Sequence, residues 1–171
     1  MAEKWTKDEC KSKRRLVQFT RAQTGNMIHV DFRAVAFKEY AQNSFCISCI
    51  YWDDKKEYFV TGVDIIHLLQ ALVAFRFTLQ EKNRIRRNLE SFKPLTVSRA
   101  SSNYFFEVIM GFPTPKPRSL MREVKVFPWK ALNPALTKVI SKYSVSHSLG
   151  TNTLPAPISS YRASNHAVSD F

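Results

Sequence analysis

The stretch Ile47–Phe77 constrains the fold more than any other part of the chain. It reads ISCIYWDDKKEYFVTGVDIIHLLQALVAFRF. The β-branched and aromatic residues of Ile47–Trp52 predict a strand, and the polar run Asp53–Lys56 predicts an exposed turn. Tyr58–Val60 then returns as a second strand. We therefore expect a β-hairpin that leads directly into the next element.

A buried helix is predicted after this hairpin. Thr61 and Asp64 have the spacing of a capping box, in which the hydroxyl accepts from the Asp64 backbone N–H and the carboxylate reaches back. Apolar residues recur at helical spacing from Ile65 to Phe75, and they are too frequent for a helix with a solvated face. We expect Asp64–Phe77 to be a core helix.

Five further elements are predicted from apolar periodicity and from capping, glycine and proline residues. An i, i+3, i+4, i+8 apolar stripe predicts an amphipathic helix over Val30–Tyr40. Gln80–Phe92 and Ser101–Met110 are predicted helices, the second preceded by serines suited to capping. Val124–Phe127 alternates like a short strand, and Asn133-Pro134 opens a last helix to about Tyr143.

The length and composition favour one domain. The chain has 171 residues, of which 44% are hydrophobic, enough for one core and too few for two. The predicted fold class is α+β but mostly α-helical: a single compact helical domain with a β-hairpin. Residues 1–22 are predicted to form a basic N-terminal arm or helix, residues 23–143 the folded domain, and residues 144–171 a disordered Ser/Thr/Pro-rich tail.

The chain is strongly basic, with a formal net charge of +12. Residues 144–171 contain one base, Arg162, and one acid, Asp170, so the whole excess belongs to residues 1–143. A basic folded domain favours an anionic partner, with nucleic acid first and an anionic membrane second. The alternative is that the charge serves only solubility.

The basic residues fall into clusters. Two of these clusters, together with Lys93 after the predicted helix Gln80–Phe92, supply the candidate DNA-binding side chains. These are Lys82, Arg84, Arg86, Arg87, Lys93, Lys116, Arg118, Arg122 and Lys125. A helix that presents several arginines suits the major groove and its phosphates. Contacts from the N-terminal arm are predicted for Lys11, Lys13, Arg14 and Arg15. A further cluster, Lys130, Lys138 and Lys142, flanks the last helix. The other reading of these residues is an ordinary solvated face.

Metal, cofactor and catalytic sites are not expected. Cys46 and Cys49 lie on a predicted strand, where residues three apart point to opposite faces, and a closed zinc site needs four ligands. Three cysteines fit a reducing compartment better than a disulfide framework. The enzymatic alternative is a metal-dependent nuclease, whose candidate residues are Asp31, Glu57, Asp64 and His67. No apolar run is long enough for a membrane span, and no small-molecule substrate is expected.

Several short motifs resemble the DNA-binding region of the fungal sterile-twelve (STE-like, homeodomain-like) transcription factors. They occur in a fixed order, roughly between Arg33 and Tyr143. The motifs are Ile47-Ser48-Cys49 with Trp52, Thr61-Gly62 with Asp64-Ile65, Phe75-Arg76-Phe77, Asn88-Leu89 with Phe92-Lys93-Pro94, Ser102 with Phe105 and Glu107, and Lys125-Val126-Phe127 with Trp129.

The resemblance implies a sequence-specific DNA-binding transcription factor, with residues 23–143 as its DNA-binding domain. It further implies a nuclear protein that regulates mating or filamentation programmes, acting with another transcription factor or as a homodimer. The basic segments differ from the family pattern more than the core positions do. This difference leaves an alternative: a non-catalytic protein-interaction module of the same fold that regulates a partner transcription factor.

Overall fold

The computed structural model of the chain describes residues 1–24, 27–40, 45–115, 122–148 and 162–163. Its N-terminal part is a long hairpin in which β1 (Arg14–Thr24) pairs antiparallel with β2 (Met27–Val35). A second hairpin follows, formed by β3 (Phe45–Trp52) and β4 (Glu57–Thr61). The remaining strands are β5 (Leu95–Ser98), β6 (Glu123–Pro128) and the two-residue β7 (Arg162–Ala163).

The strands form one sheet in the order β5-β6-β4-β3-β1-β2-β7. The first six are antiparallel to their neighbours, and β7 pairs parallel with β2. The helices are α1 (Lys7–Ser12), α2 (Gly62–Val73), α3 (Leu79–Leu89), α4 (Arg99–Met110) and α5 (Leu132–Ser148). Short 3-10 turns occur at Phe37–Glu39, Glu90–Phe92 and Trp129–Ala131.

The central strands divide their side chains between two cores. Successive residues of β4 illustrate this, because Val60 packs with α2, α3 and α5, whereas Phe59 packs with α4. In β6, Phe127 and Val126 divide in the same way. Since successive side chains of a strand point to opposite faces, the sheet lies between one layer of three helices and a single helix on the other side.

The prediction of a mostly helical domain is wrong, because an extensive antiparallel sheet organises the molecule. The error lies in the N-terminal third, where the apolar stripe predicts a helix over Val30–Tyr40. Apolar Val30 and Phe32 alternate with polar neighbours, and this period-two pattern fits the strand that forms. Gly25-Asn26, the two residues between β1 and β2, is also a pair typical of hairpin connections.

The hairpin and the core helix predicted within Ile47–Phe77 are confirmed. The helix, predicted over Asp64–Phe77, spans Gly62–Val73 and ends at Ala74, whose backbone is left-handed. The Oγ1 atom of Thr61 accepts from the Asp64 backbone N–H at 3.1 Å, as predicted. The Asp64 carboxylate does not complete the capping box. Its Oδ2 atom accepts instead from the backbone N–H of Ser48 on β3, at 3.3 Å, so it ties the helix to the sheet.

The two terminal regions differ from expectation in part. The N-terminal arm or helix is a short helix, α1, followed by a strand of the central sheet. The predicted tail over 144–171 lies mainly outside the described residues. Within that range, α5 extends to Ser148 and Arg162–Ala163 forms β7.

Candidate nucleic-acid interface

Helix α3 is positioned by its cap and its apolar side. The Thr78 hydroxyl accepts from the Glu81 backbone N–H at 3.2 Å, and the Glu81 carboxylate accepts from the Thr78 backbone N–H at 2.7 Å. This reciprocal pair fixes the start of the helix. Ile85 and Leu89 are buried in the core shared with α2 and α5. The basic residues between them therefore face outwards.

The outward side of α3 is cationic, as predicted from the sequence. Arg84, Arg86 and Arg87 are exposed, and Lys82 is half-buried. The Arg86 guanidinium is held by Asn83, whose Oδ1 accepts from Nη1 at 2.8 Å. In the described part of the chain, no carboxylate lies within ion-pairing distance of Arg87. The Arg87 guanidinium is thus available to an external anion.

The 3-10 turn Glu90–Phe92 brings two further lysines to this helix. Glu90 forms an ion pair with Lys125 of β6. Ser91 Oγ lies 2.6 Å from Lys138 Nζ of α5. The turn therefore sits between β6 and α5, and cations from three elements meet around it. We call this set the basic surface; its members are Arg84, Arg86, Arg87, Lys93, Lys125 and Lys138.

Lys93, a member of the basic surface, is exposed directly after the 3-10 turn. The predicted DNA-binding residues that are not members of this surface are Lys82, Lys116, Arg118 and Arg122. Arg122 is exposed immediately before β6. Lys116 and Arg118 lie outside the described residues. The structure thus brings together much of the predicted set, with Lys82 on the flank of α3.

Arg14, predicted to contact DNA from an N-terminal arm, is buried. Its Nε donates to Ser48 Oγ at 3.0 Å and its Nη1 to the Pro113 carbonyl at 2.9 Å. A further donation reaches the Pro115 carbonyl, and the guanidinium lies 4.6 Å from the Phe112 ring centroid. Burial lowers the pKa of Arg14 to about 10, while the nearby Asp64 carboxylate acts in the opposite direction. Arg14 therefore has a structural role.

The other predicted arm residues differ in their exposure and contacts. Arg15 is buried against the N-terminal segment. Lys13 Nζ lies 2.6 Å from the Asp53 carboxylate, and hydrogen bonding to that group raises the pKa of Lys13. Lys11 is exposed at the end of α1. Arg14 and Arg15 are inaccessible because they lie on β1, a strand that the sequence prediction missed.

Lys138 and Ser91 are not assigned to the site by the sequence. They are separated by 47 positions, and no local pattern connects residues so far apart. The sequence identifies Lys138 only as one of the basic residues flanking the last helix. The sequence offers two separate signals. Lys138 lies on the polar side of the last predicted helix, and Ser91 lies near the end of the basic predicted helix Gln80–Phe92. The packing of α3 against α5 is needed to combine them.

Three candidate residues of the nuclease alternative, Asp31, Glu57 and Asp64, have different surroundings. Asp31 is exposed on β2, and Glu57 pairs with Lys130 at 2.6 Å. Asp64 is buried at the start of α2, where burial raises its pKa to about 6. Across the described residues, no group of three or more His, Cys, Asp or Glu side chains has the arrangement of a metal site. Cys46 and Cys49 both lie on β3 as thiols.

The geometry suits recognition of an extended anion. Exposed guanidinium groups lie on α3, and ammonium groups from a strand and a second helix lie at the 3-10 turn that follows it. Such groups bind phosphate oxygens. Among helices in the described part of the chain, none combines the length and apolarity needed to cross a bilayer.

Comparison with known proteins gives a family but no function. No curated protein and no solved structure matches the chain. A family model does match, over residues 1–140, and its description is "Domain of unknown function (DUF7082)". Because this match spans most of the 171 residues, the chain belongs to the DUF7082 family.

Proposed function

We propose that this chain is a sequence-specific transcription factor that binds double-stranded DNA in the nucleus through its basic surface. The observation that carries the proposal is the 3-10 turn that follows α3: Lys125 of β6 contacts Glu90 there and Lys138 of α5 contacts Ser91, next to the helix that carries the exposed arginines. The order of motifs that resembles the sterile-twelve DNA-binding region supports the same function independently.

Two kinds of contact follow from this arrangement. The exposed arginines of α3 lie on a helix, the element that fits the major groove, where a guanidinium matches the guanine O6 and N7 acceptors. Lys93 and Lys125 lie beside the helix and reach phosphates, which fix register without reading sequence. Arg84, Arg86 and Arg87 are therefore the residues from which we expect base discrimination.

The salt dependence of binding is the quantitative consequence. Each phosphate neutralised releases condensed counterions, so log K falls with log salt at a slope of about 0.9 per contact. If each of the six positive charges of the basic surface displaces the counterion of one phosphate, whether its side chain contacts that phosphate or a base edge beside it, the slope is about 5. The corresponding loss of affinity between about 50 and 200 mM salt is on the order of a thousandfold.

Fluorescence anisotropy of the purified chain tests the proposal. One labelled duplex carries an adenine-rich element of the type that the resemblance implies, and a second carries the same bases scrambled. We expect tight binding that prefers the element and declines linearly in log salt. Equal, weak binding to both duplexes that disappears near physiological salt would overturn sequence-specific recognition.

A matched pair of variants assigns the surface. Arg86→Ala removes an exposed α3 cation and should weaken binding with the fold intact. Lys130→Ala removes the same charge from the 3-10 turn beside β4, where Lys130 pairs with Glu57, and should have little effect. Equal losses in the two variants would show that net charge, rather than this surface, governs binding.

Exposed apolar side chains favour a second candidate function, that of a protein-interaction module. In the connection between α2 and α3, Phe75 is 42% exposed, and Leu79 at the start of α3 is 71% exposed. The partner we consider is a second copy of this chain. Sedimentation velocity of the wild type and of Leu79→Ser distinguishes the cases: a dimer lost in the variant supports this function, and a wild-type monomer at all concentrations contradicts it.

A further inference from the structure

We propose that Lys138 and Ser91 form a seat for a single phosphate group at the junction of α5 and the 3-10 turn Glu90–Phe92. This inference deepens the proposed function and rests on it for the identity of the ligand, a phosphodiester of the DNA backbone. The seat itself is defined by geometry that does not depend on DNA.

The ammonium group of Lys138 is immobilised from two directions. Its Nζ lies 2.6 Å from Ser91 Oγ and 5.2 Å from the centroid of the Phe92 ring. The side chain is half-buried, so its alkyl stem lies along the protein. Ordering a lysine normally costs side-chain entropy on binding. Here that cost is already met by folding, which makes the contact stronger than that of a mobile surface lysine.

The charge of this ammonium is not neutralised in the described part of the chain. The contact of Lys138 is a hydroxyl rather than a carboxylate, and no described carboxylate lies within ion-pairing distance of it. This contrasts with Lys125, which pairs with Glu90. An ammonium has three N–H donors, and the contact with Ser91 uses one. Two donors remain for the oxygens of an anion.

The contact with Ser91 orients the remaining donors of the ammonium. Ser91 Oγ donates to the Asn88 carbonyl at 3.1 Å, so its own hydrogen is occupied and a lone pair accepts from Lys138 Nζ. The neighbouring chain segments carry exposed cations, Arg87 in the last turn of α3 and Lys93 directly after the 3-10 turn. An oxygen of a phosphate group can therefore be met by an ordered ammonium.

Nuclear magnetic resonance of the full chain tests the seat without DNA. Inorganic phosphate is titrated at constant ionic strength, with chloride as the balancing anion, while the amide signals of Ser91, Phe92 and Lys93 are followed. We expect saturable shifts in the wild type. Lys138→Met retains the alkyl stem over Phe92 but removes the charge, and should abolish them. Lys130→Met removes the same charge elsewhere and should leave them unchanged.

The same variants are then compared in DNA binding. Lys138→Met should lower duplex affinity by about tenfold, the magnitude of one charge-assisted hydrogen bond. It should also reduce the salt slope by about 0.9, since one phosphate contact is lost. Ser91→Ala should produce a smaller loss, because the ammonium remains but is no longer oriented.

The phosphate titration and the DNA-binding comparison together distinguish failure of the seat from failure of the proposed function. Saturable phosphate shifts that require Lys138, in a chain that binds no duplex, would support the seat and overturn the assignment of DNA as its ligand. Duplex binding by the wild type that Lys138→Met does not change, together with linear phosphate shifts, would overturn the seat and leave the proposed function standing. Unfolding curves of each variant establish that the comparison is between folded proteins.

Discussion

The guanidinium of Arg15 on β1 and the carboxylate of Glu9 on α1 form a two-pronged ion pair. Nε donates to Oε1 at 2.9 Å and Nη2 donates to Oε2 at 2.9 Å. The three remaining N–H groups donate to the carbonyls of Met1, Glu3 and Lys4. Burial acts to raise the pKa of Glu9, but the bonds from Arg15 and Thr6 outweigh it, and the pKa lies below its ordinary value. Arg15 thus fastens the N-terminal segment to the sheet.

Substituting Arg15 by lysine should destabilise the protein although the charge is kept. Lysine cannot form the planar two-pronged contact, and it offers three donors where the guanidinium uses five. The expected cost is about 2 to 4 kcal/mol of unfolding free energy, measured by urea denaturation. Lys11→Ala, on the exposed end of α1, should change it by less than about 0.5 kcal/mol. Similar values for the two variants would contradict the structural role of Arg15.

The stability of the protein should fall as the pH rises from about 4 to about 6, because of Asp64. Burial raises the pKa of this carboxyl from 3.8 to about 6, against the smaller effects of the Ser48 backbone N–H and of the Arg14 charge. Between these values the folded state binds a proton that the unfolded state has lost, so unfolding becomes more favourable as pH increases. The expected decline is on the order of 1 to 3 kcal/mol, because a tenfold difference in proton affinity between the two states corresponds to about 1.4 kcal/mol.

Asp64→Asn isolates this contribution. The amide keeps an oxygen that can accept from the Ser48 backbone N–H but does not titrate. The variant should therefore lose the decline between pH 4 and 6 that thermal unfolding reveals in the wild type. If the wild type and the variant show the same pH dependence over that interval, another group is responsible.

Replacing Glu90 by glutamine should strengthen DNA binding, provided that the proposed function holds. Glu90 forms an ion pair with Lys125, and the two side chains are about half exposed, at 48% for Glu90 and 45% for Lys125. An ion pair this exposed contributes at most about 1 kcal/mol to stability, so a phosphate can replace the carboxylate. We expect a gain in affinity of about three- to tenfold, because the phosphate no longer competes with a carboxylate for Lys125.

Glu107→Gln is the matched control for this substitution. Glu107 pairs with Arg99 at 2.8 Å and is also 48% exposed, but it lies on α4, on the other side of the sheet. Its removal changes the net charge equally and should alter affinity less than twofold. Equal gains in the two variants, measured by anisotropy, would show that Glu90 acts only through total charge.

Phe105→Ala should strongly destabilise the face of the sheet that α4 covers. The Phe105 ring stacks on Trp52 of β3, with centroids 4.2 Å apart and planes 9° from parallel. Both side chains are buried. The expected cost is about 3 to 5 kcal/mol, measured by urea denaturation, from lost burial and the cavity that remains. Phe37→Ala, which truncates a ring that is 52% exposed, serves as control and should cost far less.

The accuracy of the sequence predictions depended on how local their determinants were. The β3–β4 hairpin and α2 were predicted because a strand pattern, a polar turn and a cap occur within Ile47–Phe77. The prediction for Val30–Tyr40 failed because its apolar spacing is compatible with two periods. Register against β1 decided between them, since β2 is stabilised by hydrogen bonds to a partner strand and not by its own backbone.

The candidate site shows the same division. The sequence alone determined that α3 has a cationic outer side, because helical period places Ile85 and Leu89 inwards and the arginines outwards. It also determined the basic charge. These properties depend on residue type and short-range spacing.

Only the tertiary structure decided which basic residues are accessible and which are combined. Arg14 and Arg15 have the same chemistry as Arg86, yet a place in the central sheet buries them among carbonyl and carboxylate acceptors. Lys125 and Lys138 come from distant positions and meet at the 3-10 turn after α3, where they contact Glu90 and Ser91. Such contacts depend on how the helices and the sheet pack, which no local pattern encodes.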